Sequence, residues 1–190
     1  SKKIVIASKA GKGDVFHLIN VSDGKSEKIA FELDGLFTAS WSPNGEQLAF
    51  IGNKGNASDV YLYDLSIQKL TNLTNDIFSD SEPAWSPDGN ELVFIGTKAG
   101  ASDLYVYNLN TEKLTALTDD IYSDSEPAWN NDGSALVFVS DRKDDLNGLY
   151  KPDSIEMGTF SQKDIYTFDL KSGKINRLTA TNHNEDYPIW

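Results

Sequence analysis

Short apolar runs separated by polar turns recur along the chain, and their length is typical of β-strands. One run, Leu92-Val93-Phe94-Ile95, follows the segment Ser81-Glu82-Pro83-Ala84-Trp85-Ser86-Pro87-Asp88-Gly89. This segment reads as a strand that ends at the tryptophan and a tight turn at Pro-Asp-Gly, because proline and glycine favour the backbone angles of such turns. No long stretch has the period of an amphipathic helix. The pattern therefore predicts an all-β fold.

The same segment returns along the chain at regular intervals. The tryptophans Trp41, Trp85, Trp129 and Trp190 are separated by 44, 44 and 61 residues. Two further landmarks repeat with the same steps, namely the Asp-x-Tyr or similar segments at 59–61, 103–105 and 164–166 and the Leu-Thr pairs at 73–74, 117–118 and 178–179. A strand-and-turn repeat of this length is typical of β-propeller blades. The longer last interval predicts an insertion of 17 residues within residues 141–162.

The repeats predict a single domain over residues 1–190 with about four four-stranded blades, whose boundaries fall near residues 37, 81, 125 and 187. The chain opens on the second strand of a blade and closes on a first strand at Trp190. Two architectures fit: a four-bladed ring closed by the two termini, or part of a larger propeller with about six to eight blades. The tryptophans are expected to pack between neighbouring blades with their N–H groups hydrogen bonded.

Composition narrows the classes of partner. The chain carries 29 acidic and 17 basic residues, a formal net charge of −12, which argues against nucleic acid or anionic lipid as the main partner. This charge is compatible with a cation or with a basic protein partner. The absence of cysteine excludes disulfides and thiolate metal sites. No apolar run approaches membrane-spanning length, so no insertion into a membrane is predicted.

At these residues the sequence resembles the TolB-like propeller repeats. In that pattern a Pro-Ala-Trp-Ser-Pro-Asp-Gly segment precedes an apolar strand, an Asp-(Ile/Leu)-Tyr-x-x-(Asp/Asn)-Leu segment and a Leu-Thr pair, which stand here at residues 83–89, 103–109 and 117–118. Asn130-Asn131 replaces Ser-Pro in one copy, which is expected to loosen that turn. Similar repeats occur in a bacterial envelope protein, in the propellers of prolyl-oligopeptidase-like and Tricorn-like peptidases, and in some sugar-acting enzymes. The resemblance implies a periplasmic or cell-envelope setting.

Two sets of loops share one rim of the predicted propeller: those that enter the tryptophan strands and those that join second to third strands. Rigid blades hold such loops in place, and partners usually bind there. A protein or peptide partner is therefore expected to contact ten residues: Asp80, Glu82, Asp124, Glu126, Arg142, Lys143, Tyr150, His183, Glu185 and Asp186. The alternative is that the Ser-Asp-Ser segments at 79–81 and 123–125 cap their own turns.

Residues for catalysis are sparse in the sequence. There are two histidines, His17 and His183, and neither a Gly-x-Ser-x-Gly segment nor a phosphate-binding loop. A non-catalytic scaffold without a cofactor is therefore predicted. The alternatives are the substrate-docking propeller of a larger serine peptidase and a carbohydrate-active or metal-binding propeller. The oxygen-rich cluster within residues 141–148 loosely resembles a calcium loop, but its spacing does not match the helix–loop–helix pattern.

Overall fold

The structure is a computed structural model that describes residues 2–10, 13–98, 100–142, 162–181 and 183–190. These residues contain fifteen strands and no helix, so the predicted all-β fold is confirmed. The strands are β1 (Lys3–Ala10), β2 (Gly13–Asn20), β3 (Ser26–Ala30), β4 (Gly35–Trp41), β5 (Gln47–Lys54), β6 (Ala57–Asp64), β7 (Lys69–Asn72), β8 (Ser79–Trp85), β9 (Glu91–Lys98), β10 (Ala101–Asn108), β11 (Lys113–Ala116), β12 (Asp124–Trp129), β13 (Ala135–Ser140), β14 (Asp164–Asp169) and β15 (Lys174–Arg177). Within the described ranges there is consequently no helix that could span a membrane.

The strands pair as four antiparallel groups, called blades 1 to 4, that follow one another along the chain. Blade 1 has the order β1-β2-β3. Blades 2, 3 and 4 have four strands each, in the orders β4-β5-β6-β7, β8-β9-β10-β11 and β12-β13-β14-β15. Single parallel pairs join successive blades, Ser58 with Ser79 and Ser102 with Ser123. Because these two bridges lie one repeat apart, blade 3 meets blade 4 in the way that blade 2 meets blade 3.

The two ends of the chain do not share a sheet in the described residues. Strand β1 pairs with β2, and residues 187–190 form no strand. A four-bladed ring closed by the termini would need the strand of Trp190 to pair along β1. The described residues instead form open sheets, so this version of the predicted architecture is wrong.

Hydrophobic clusters fill the space between successive blades. Phe50 belongs to the cluster between blades 1 and 2, whereas the next residue of the same strand, Ile51, belongs to the cluster between blades 2 and 3. The same alternation places Val93 and Phe94 in two different clusters. Successive side chains of a strand point to opposite faces. Both faces of a central blade are therefore covered, which explains the continuous apolar runs of the sequence.

Two of the tryptophans connect one blade to the preceding one. Trp85 is buried, and its Nε1 donates a hydrogen bond of 3.1 Å to the Ser40 carbonyl of blade 2. Trp129 is partly buried and donates a bond of the same length to the Ala84 carbonyl of blade 3. The prediction of indoles packed between blades with bonded N–H groups is confirmed at these two positions.

The first and last tryptophans differ from this arrangement. Trp41 Nε1 is buried without a hydrogen-bond partner among the described residues, because blade 1 has no described strand that could offer the equivalent carbonyl. Trp190 is 55% exposed. At Trp41 the predicted packing is confirmed, because the indole packs against the hydrophobic cluster between blades 1 and 2, and only the predicted hydrogen bond is wrong. At Trp190 the predicted burial between blades is wrong.

The Asp-x-Tyr and Leu-Thr landmarks tie the third strand of each blade to the segment that follows its outer strand. The landmark aspartates are buried: Asp59, Asp103 and Asp164. Thr118 Oγ1 accepts a hydrogen bond of 2.8 Å from the Leu104 N–H. Thr74 and Thr179 accept equivalent bonds of 3.1 and 2.9 Å. The landmarks repeat because each blade needs the same buried polar contacts to be satisfied.

Tight turns join the first and second strands of blades 2 to 4 and lie at one end of the blades, here called the turn rim. Gly89 has a φ of 75°, and its N–H donates to the Ser86 carbonyl at 3.0 Å. Such a positive φ favours glycine. The Asn130-Asn131 copy keeps the turn, with a corresponding bond of 3.2 Å from Gly133 to Asn130. The opposite end, the loop rim, carries residues 73–78, 117–123, 178–181 and 183–186.

Candidate partner-binding site

The inner strands of the blades line a groove with a volume of about 510 Å³. Its walls are the same three positions of four successive repeats, residues 38–40, 82–84, 126–128 and 187–189. Most of these side chains are small or apolar, and the charged ones are Glu82 and Glu126. Tyr187 and Ile189 are 82% and 88% exposed. The groove is therefore an open concave surface of apolar and acidic character.

A β-bulge in each inner strand of blades 2 to 4 sets the shape of the groove. The register of β8 shifts between Ser81 and Ala84, and β4 and β12 shift at the equivalent places. The backbone is left-handed at the bulge, with a φ of 56° at both Glu82 and Glu126. A bulge breaks the ladder locally and redirects the side chain that it carries. The two glutamates therefore reach across the groove toward the next repeat.

The glutamates of the groove link one blade to the next. The Glu126 N–H donates to Glu82 Oε2 at 2.5 Å, and the Tyr187 N–H donates to Glu126 Oε2. Each carboxylate thus accepts a backbone hydrogen bond from the equivalent residue one repeat later. Both glutamates are among the contacts predicted from the sequence. The flanking groove positions are not among them, although their steps of 44 and 61 residues give a usable signal.

Three of the predicted contacts are buried and are not displayed on the loop rim. Asp80 is 5% exposed, Asp124 is 1% exposed, and Arg142 is also buried. These three side chains are not exposed on the rim as expected, because they lie on inner-strand positions or just after β13 and turn into the blade. Their role as partner contacts stays a prediction. Lys143 and Tyr150 lie outside the described residues.

The other predicted contacts lie on the segment that leads to residue 187. His183 and Asp186 are exposed, whereas Glu185 is half-buried. The Thr181 hydroxyl donates to Glu185 Oε1 at 2.7 Å, and the Glu185 N–H donates to the Lys163 carbonyl at 2.9 Å. The role of these residues as partner contacts stays a prediction.

The loop-rim turns are capped by aspartates other than those of the Ser-Asp-Ser segments. Asp76 Oδ1 accepts the Phe78 N–H at 2.7 Å, and Asp120 Oδ1 accepts the Tyr122 N–H at 2.9 Å. A side-chain carboxylate that bonds the backbone two residues later is a common turn device. The caps therefore come four residues earlier than the alternative interpretation expected.

Asp124 and Arg142 form a buried ion pair in blade 4. Arg142 Nη2 donates to Asp124 Oδ1 and Oδ2 at 2.7 and 2.8 Å, and it lies 3.3 Å from Asp120 Oδ2. Arg142 Nε donates to Ser140 Oγ at 2.8 Å. Burial raises the pKa of Asp124, and the positive charge of Arg142 opposes that shift. The guanidinium thus offsets part of the cost of burying the Asp124 carboxylate.

Aromatic rings complete the surroundings of Arg142. Its guanidinium carbon lies 5.3 Å from the Phe138 ring centre, 5.7 Å from that of Tyr166 and 5.8 Å from that of Tyr122. The Tyr166 hydroxyl donates to the Arg142 carbonyl at 2.5 Å. Contacts of this kind favour guanidinium over ammonium, because guanidinium is planar and more weakly hydrated. The rings and carboxylates around this guanidinium are called the Arg142 socket below.

Asp80 holds the equivalent position in blade 3 but has no such cation. Asp80 Oδ2 is buried without a hydrogen-bond partner among the described residues. Asp80 lines a cavity of about 20 Å³, here called the Asp80 pocket, together with Phe78, Phe94, Lys98, Tyr105 and other residues. The pKa of Asp80 is raised to about 6, mainly by burial and also by the charges of Asp76 and Asp59, and hydrogen bonding to Thr74 opposes this shift.

Asp80→Asn is expected to stabilise the chain at neutral pH. The unfolded chain releases the Asp80 proton near pH 4 and the folded chain near pH 6, so ionisation lowers stability as the pH rises between these values. The uncharged variant should gain about 2 kcal/mol at pH 7 and lose this advantage below pH 4. Urea unfolding at several pH values measures the difference.

The matched control for this prediction is Asp186→Asn. Asp186 is an exposed carboxylate on the same rim, and its replacement should change stability by less than about 0.5 kcal/mol. If Asp80→Asn is no more stable than the unmodified chain at pH 7, the Asp80 carboxylate must reach solvent or a counter-charge.

Metal binding has no preorganised site in the described residues. Among them, no group of three histidine, cysteine, aspartate or glutamate side chains is placed to hold a metal ion. Asp141 of the oxygen-rich cluster accepts the Ser123 N–H at 2.8 Å. The remaining members of that cluster lie outside the described residues, so calcium binding there stays untested.

Comparison with known families decides the class of protein. A family model described as the TolB beta propeller domain matches residues 2–155. The chain belongs to the TolB beta propeller family. The resemblance found in the sequence is thereby confirmed, and the open four-stranded groups are blades of a β-propeller. The Tol-Pal system protein TolB of Ruthia magnifica subspecies Calyptogena magnifica is 35% identical over 77 residues, which are 40% of this chain and 18% of that protein.

Solved structures of β-propellers superpose on most of the chain. TolB from Acinetobacter baumannii gives a TM-score of 0.70 at 25% identity, covering 97% of this chain and 42% of that one. The propeller domain of the Trilobed protease from Pyrococcus furiosus gives 0.64 at 15% identity, covering 94% and 54%. The chain thus spans less than two thirds of each of these relatives. The similarity to the protease propeller shows the fold alone.

Proposed function

We propose that the chain is a non-catalytic propeller scaffold that binds a protein or peptide partner in the bacterial envelope. The observation that carries this proposal is the groove, an open concavity of about 510 Å³ built from the same three positions of four repeats. The similarity of the chain to a Tol-Pal system protein supports a partner from that system and a periplasmic setting. Rigid blades that hold a repeated surface suit recognition.

The surface chemistry supports an apolar and basic partner. Tyr187 and Ile189 stand exposed in the groove, and Ile77 and Ile121 stand exposed at equivalent positions of the loop rim. Exposed apolar side chains that lie close together mark interaction sites more often than isolated ones do. The formal net charge of −12 favours basic groups on the partner.

The groove supports binding better than catalysis. Its lining contains no histidine, lysine or cysteine, and its two carboxylates, Glu82 and Glu126, each accept a backbone N–H from the next repeat. Carboxylates that link neighbouring blades in this way have a structural role that explains their place in the groove. The relatives with peptidase names are less than 25% identical, so they do not favour the peptidase alternative.

The test is direct binding to purified Tol and Pal components of the source bacterium, measured by calorimetry. The variant Tyr187→Ala/Ile189→Asp removes two exposed groove side chains and should raise the Kd of the binding component at least about tenfold. Ile67→Asp is the matched control, because Ile67 is 68% exposed at the turn rim. Its Kd should change less than about twofold.

Equal binding by the groove variant and the unmodified chain would remove the groove from the interface. Failure of every component to bind with a Kd below about 100 μM would contradict the proposed partner class.

A further inference from the structure

We propose that the Asp80 pocket of blade 3 is a vacant receptor for a guanidinium group, the side chain of an arginine that a partner protein or peptide presents. The Arg142 socket of blade 4 is the template, because there the chain fills the equivalent position with its own arginine. The pocket itself is argued from geometry, and only the source of the arginine rests on the proposed function.

The aromatic walls of the Arg142 socket recur in blade 3. Phe94 and Tyr105 hold the positions of the two rings that flank the Arg142 guanidinium, and Phe78 holds that of Tyr122. The Phe94 and Tyr105 ring centres are 5.7 Å apart at an interplanar angle of 20°. Blade 3 thus keeps the cage of rings that favours a planar cation.

The acidic groups of the socket recur as well. Asp80 stands where Asp124 stands, and Asp76 stands where Asp120 stands, one repeat earlier. Asp124 Oδ2 receives a hydrogen bond from the guanidinium, whereas Asp80 Oδ2 is buried and receives none in the described residues. A buried carboxylate without a partner is costly, so a cation that reaches it gains more than it would at the surface.

The residue that differs is the cation. Lys98 of blade 3 replaces Arg142 and lines the pocket, and its ammonium lies over the rings, 4.8 Å from the Phe78 ring centre and 5.0 Å from that of Tyr105. Lys98 is exposed. An ammonium is more strongly hydrated than a guanidinium and carries no planar fork, so it matches the rings and the carboxylate less well than Arg142 does in blade 4.

The space in the pocket fits entry by displacement of Lys98. The cavity of about 20 Å³ holds about one water molecule. Gly96 borders it where blade 4 has Ser140, and a Cβ at Gly96 would lie 3.4 Å from Asp80 Oδ1 and 2.8 Å from Tyr105. An incoming guanidinium therefore takes the volume that the Lys98 ammonium now covers, stacks on the rings and donates to Asp80.

Blade 2 lacks this receptor. Leu36, which is buried, occupies the position of Asp80 there. Three described blades have an inner strand. In blade 4 the chain's own arginine pairs with the acid, in blade 2 there is no acid, and in blade 3 the acid has no guanidinium partner. The pocket opens on the loop rim beside the exposed Ile77, on the side where a partner is proposed to bind.

The experiment titrates the protein with N-acetyl-L-arginine methylamide and follows backbone amide signals by NMR at pH 7. Saturable shifts at Asp80, Gly96 and Tyr105, with a Kd on the order of 1–10 mM, are expected. Asp80→Asn should weaken binding at least about tenfold. The corresponding lysine derivative should bind more weakly than the arginine derivative, since it cannot stack as a plane.

Two variants of Lys98 separate this proposal from general charge attraction. Lys98→Met removes the covering ammonium and should tighten binding several-fold. Lys98→Arg supplies the missing guanidinium from within, so it should abolish binding and raise the Tm by about 2–4 °C, as expected when a buried charge gains its partner. The spectrum of each variant reports directly whether its fold is kept.

Arginine shifts that persist unchanged in Asp80→Asn, or lysine binding equal to arginine binding, would overturn the receptor. The probe is a small molecule, so this outcome leaves the groove and its protein partner untouched. If a Tol or Pal component competes with the arginine derivative, the arginine belongs to that component. If the derivative binds without competition, the receptor stands and the Tol or Pal component is excluded as the source of the arginine.

Discussion

Methionine in place of Arg142 is expected to lower the free energy of unfolding by about 3–5 kcal/mol. The change keeps an apolar stem among Phe138, Tyr122 and Tyr166 but leaves the Asp124 carboxyl group, which is 1% exposed, without its partner. Removing one member of a buried ion pair costs far more than the pair itself contributes. Urea unfolding at pH 7, followed by tryptophan fluorescence, measures the loss.

The repeat supplies a matched control for this change. Lys98→Met alters the equivalent position of blade 3, where the side chain is exposed, and should cost less than about 1 kcal/mol. Adding Asp124→Asn to Arg142→Met should recover much of the loss, because the remaining side chain is then neutral. A cost below about 1 kcal/mol for Arg142→Met alone would mean that Asp124 reaches solvent.

Alanine in place of Trp85 is expected to cost about 3–5 kcal/mol, the usual range for removing a large buried aromatic side chain. The indole packs in the cluster that contains Ile51 of blade 2 and Phe94 of blade 3, and it donates to the Ser40 carbonyl at 3.1 Å. Its loss opens a cavity between two blades and leaves a carbonyl without its partner. Thermal and urea unfolding both report the effect.

Trp190→Ala provides the control for the indole. The side chain is 55% exposed, so its removal should change stability by less than about 1 kcal/mol. The stability cost of Trp85→Phe should lie between those of Trp85→Ala and Trp190→Ala, because phenylalanine keeps most of the apolar volume and loses the hydrogen bond. Equal costs for Trp85→Ala and Trp190→Ala would contradict the assignment of Trp85 as the contact between blades 2 and 3.

The blade pattern could be predicted from the sequence because its causes are local and repeated. Gly89 indicates a turn that needs a positive φ, and Trp85 indicates a buried position next to that turn. The Leu-Thr pairs recur because their threonine accepts a backbone hydrogen bond from the residue that follows a buried aspartate. Thr118 accepts such a bond from the Leu104 N–H. Each of these residues acts within one blade or on the adjacent one.

The environment of the acidic residues could not be predicted in the same way. Asp80 and Asp124 follow polar loops, so they resemble exposed rim acids, yet they point into their blades. The partner of Asp124 is Arg142, 18 residues later, and its ring neighbour Tyr166 lies beyond the insertion. A single sequence gives no sign that such distant residues meet.

The groove was missed for a related reason. Its glutamates and their neighbours look like ordinary strand residues, and the bulge that redirects them has no strong residue signal. Glu82 and Glu126 adopt a φ of 56° although neither is glycine or asparagine. The repeat made their equivalence visible, but the geometry was needed to show that they reach from one blade to the next.

The most direct test of the proposed function is amide hydrogen exchange of the chain with and without its Tol or Pal partner. Binding in the groove and on the loop rim predicts slower exchange in residues 79–85 and 124–129 and in the loop at 73–78, with no change in the turns at 86–90 and 109–112. Protection confined to those turns, with unchanged exchange in the inner strands, would contradict it.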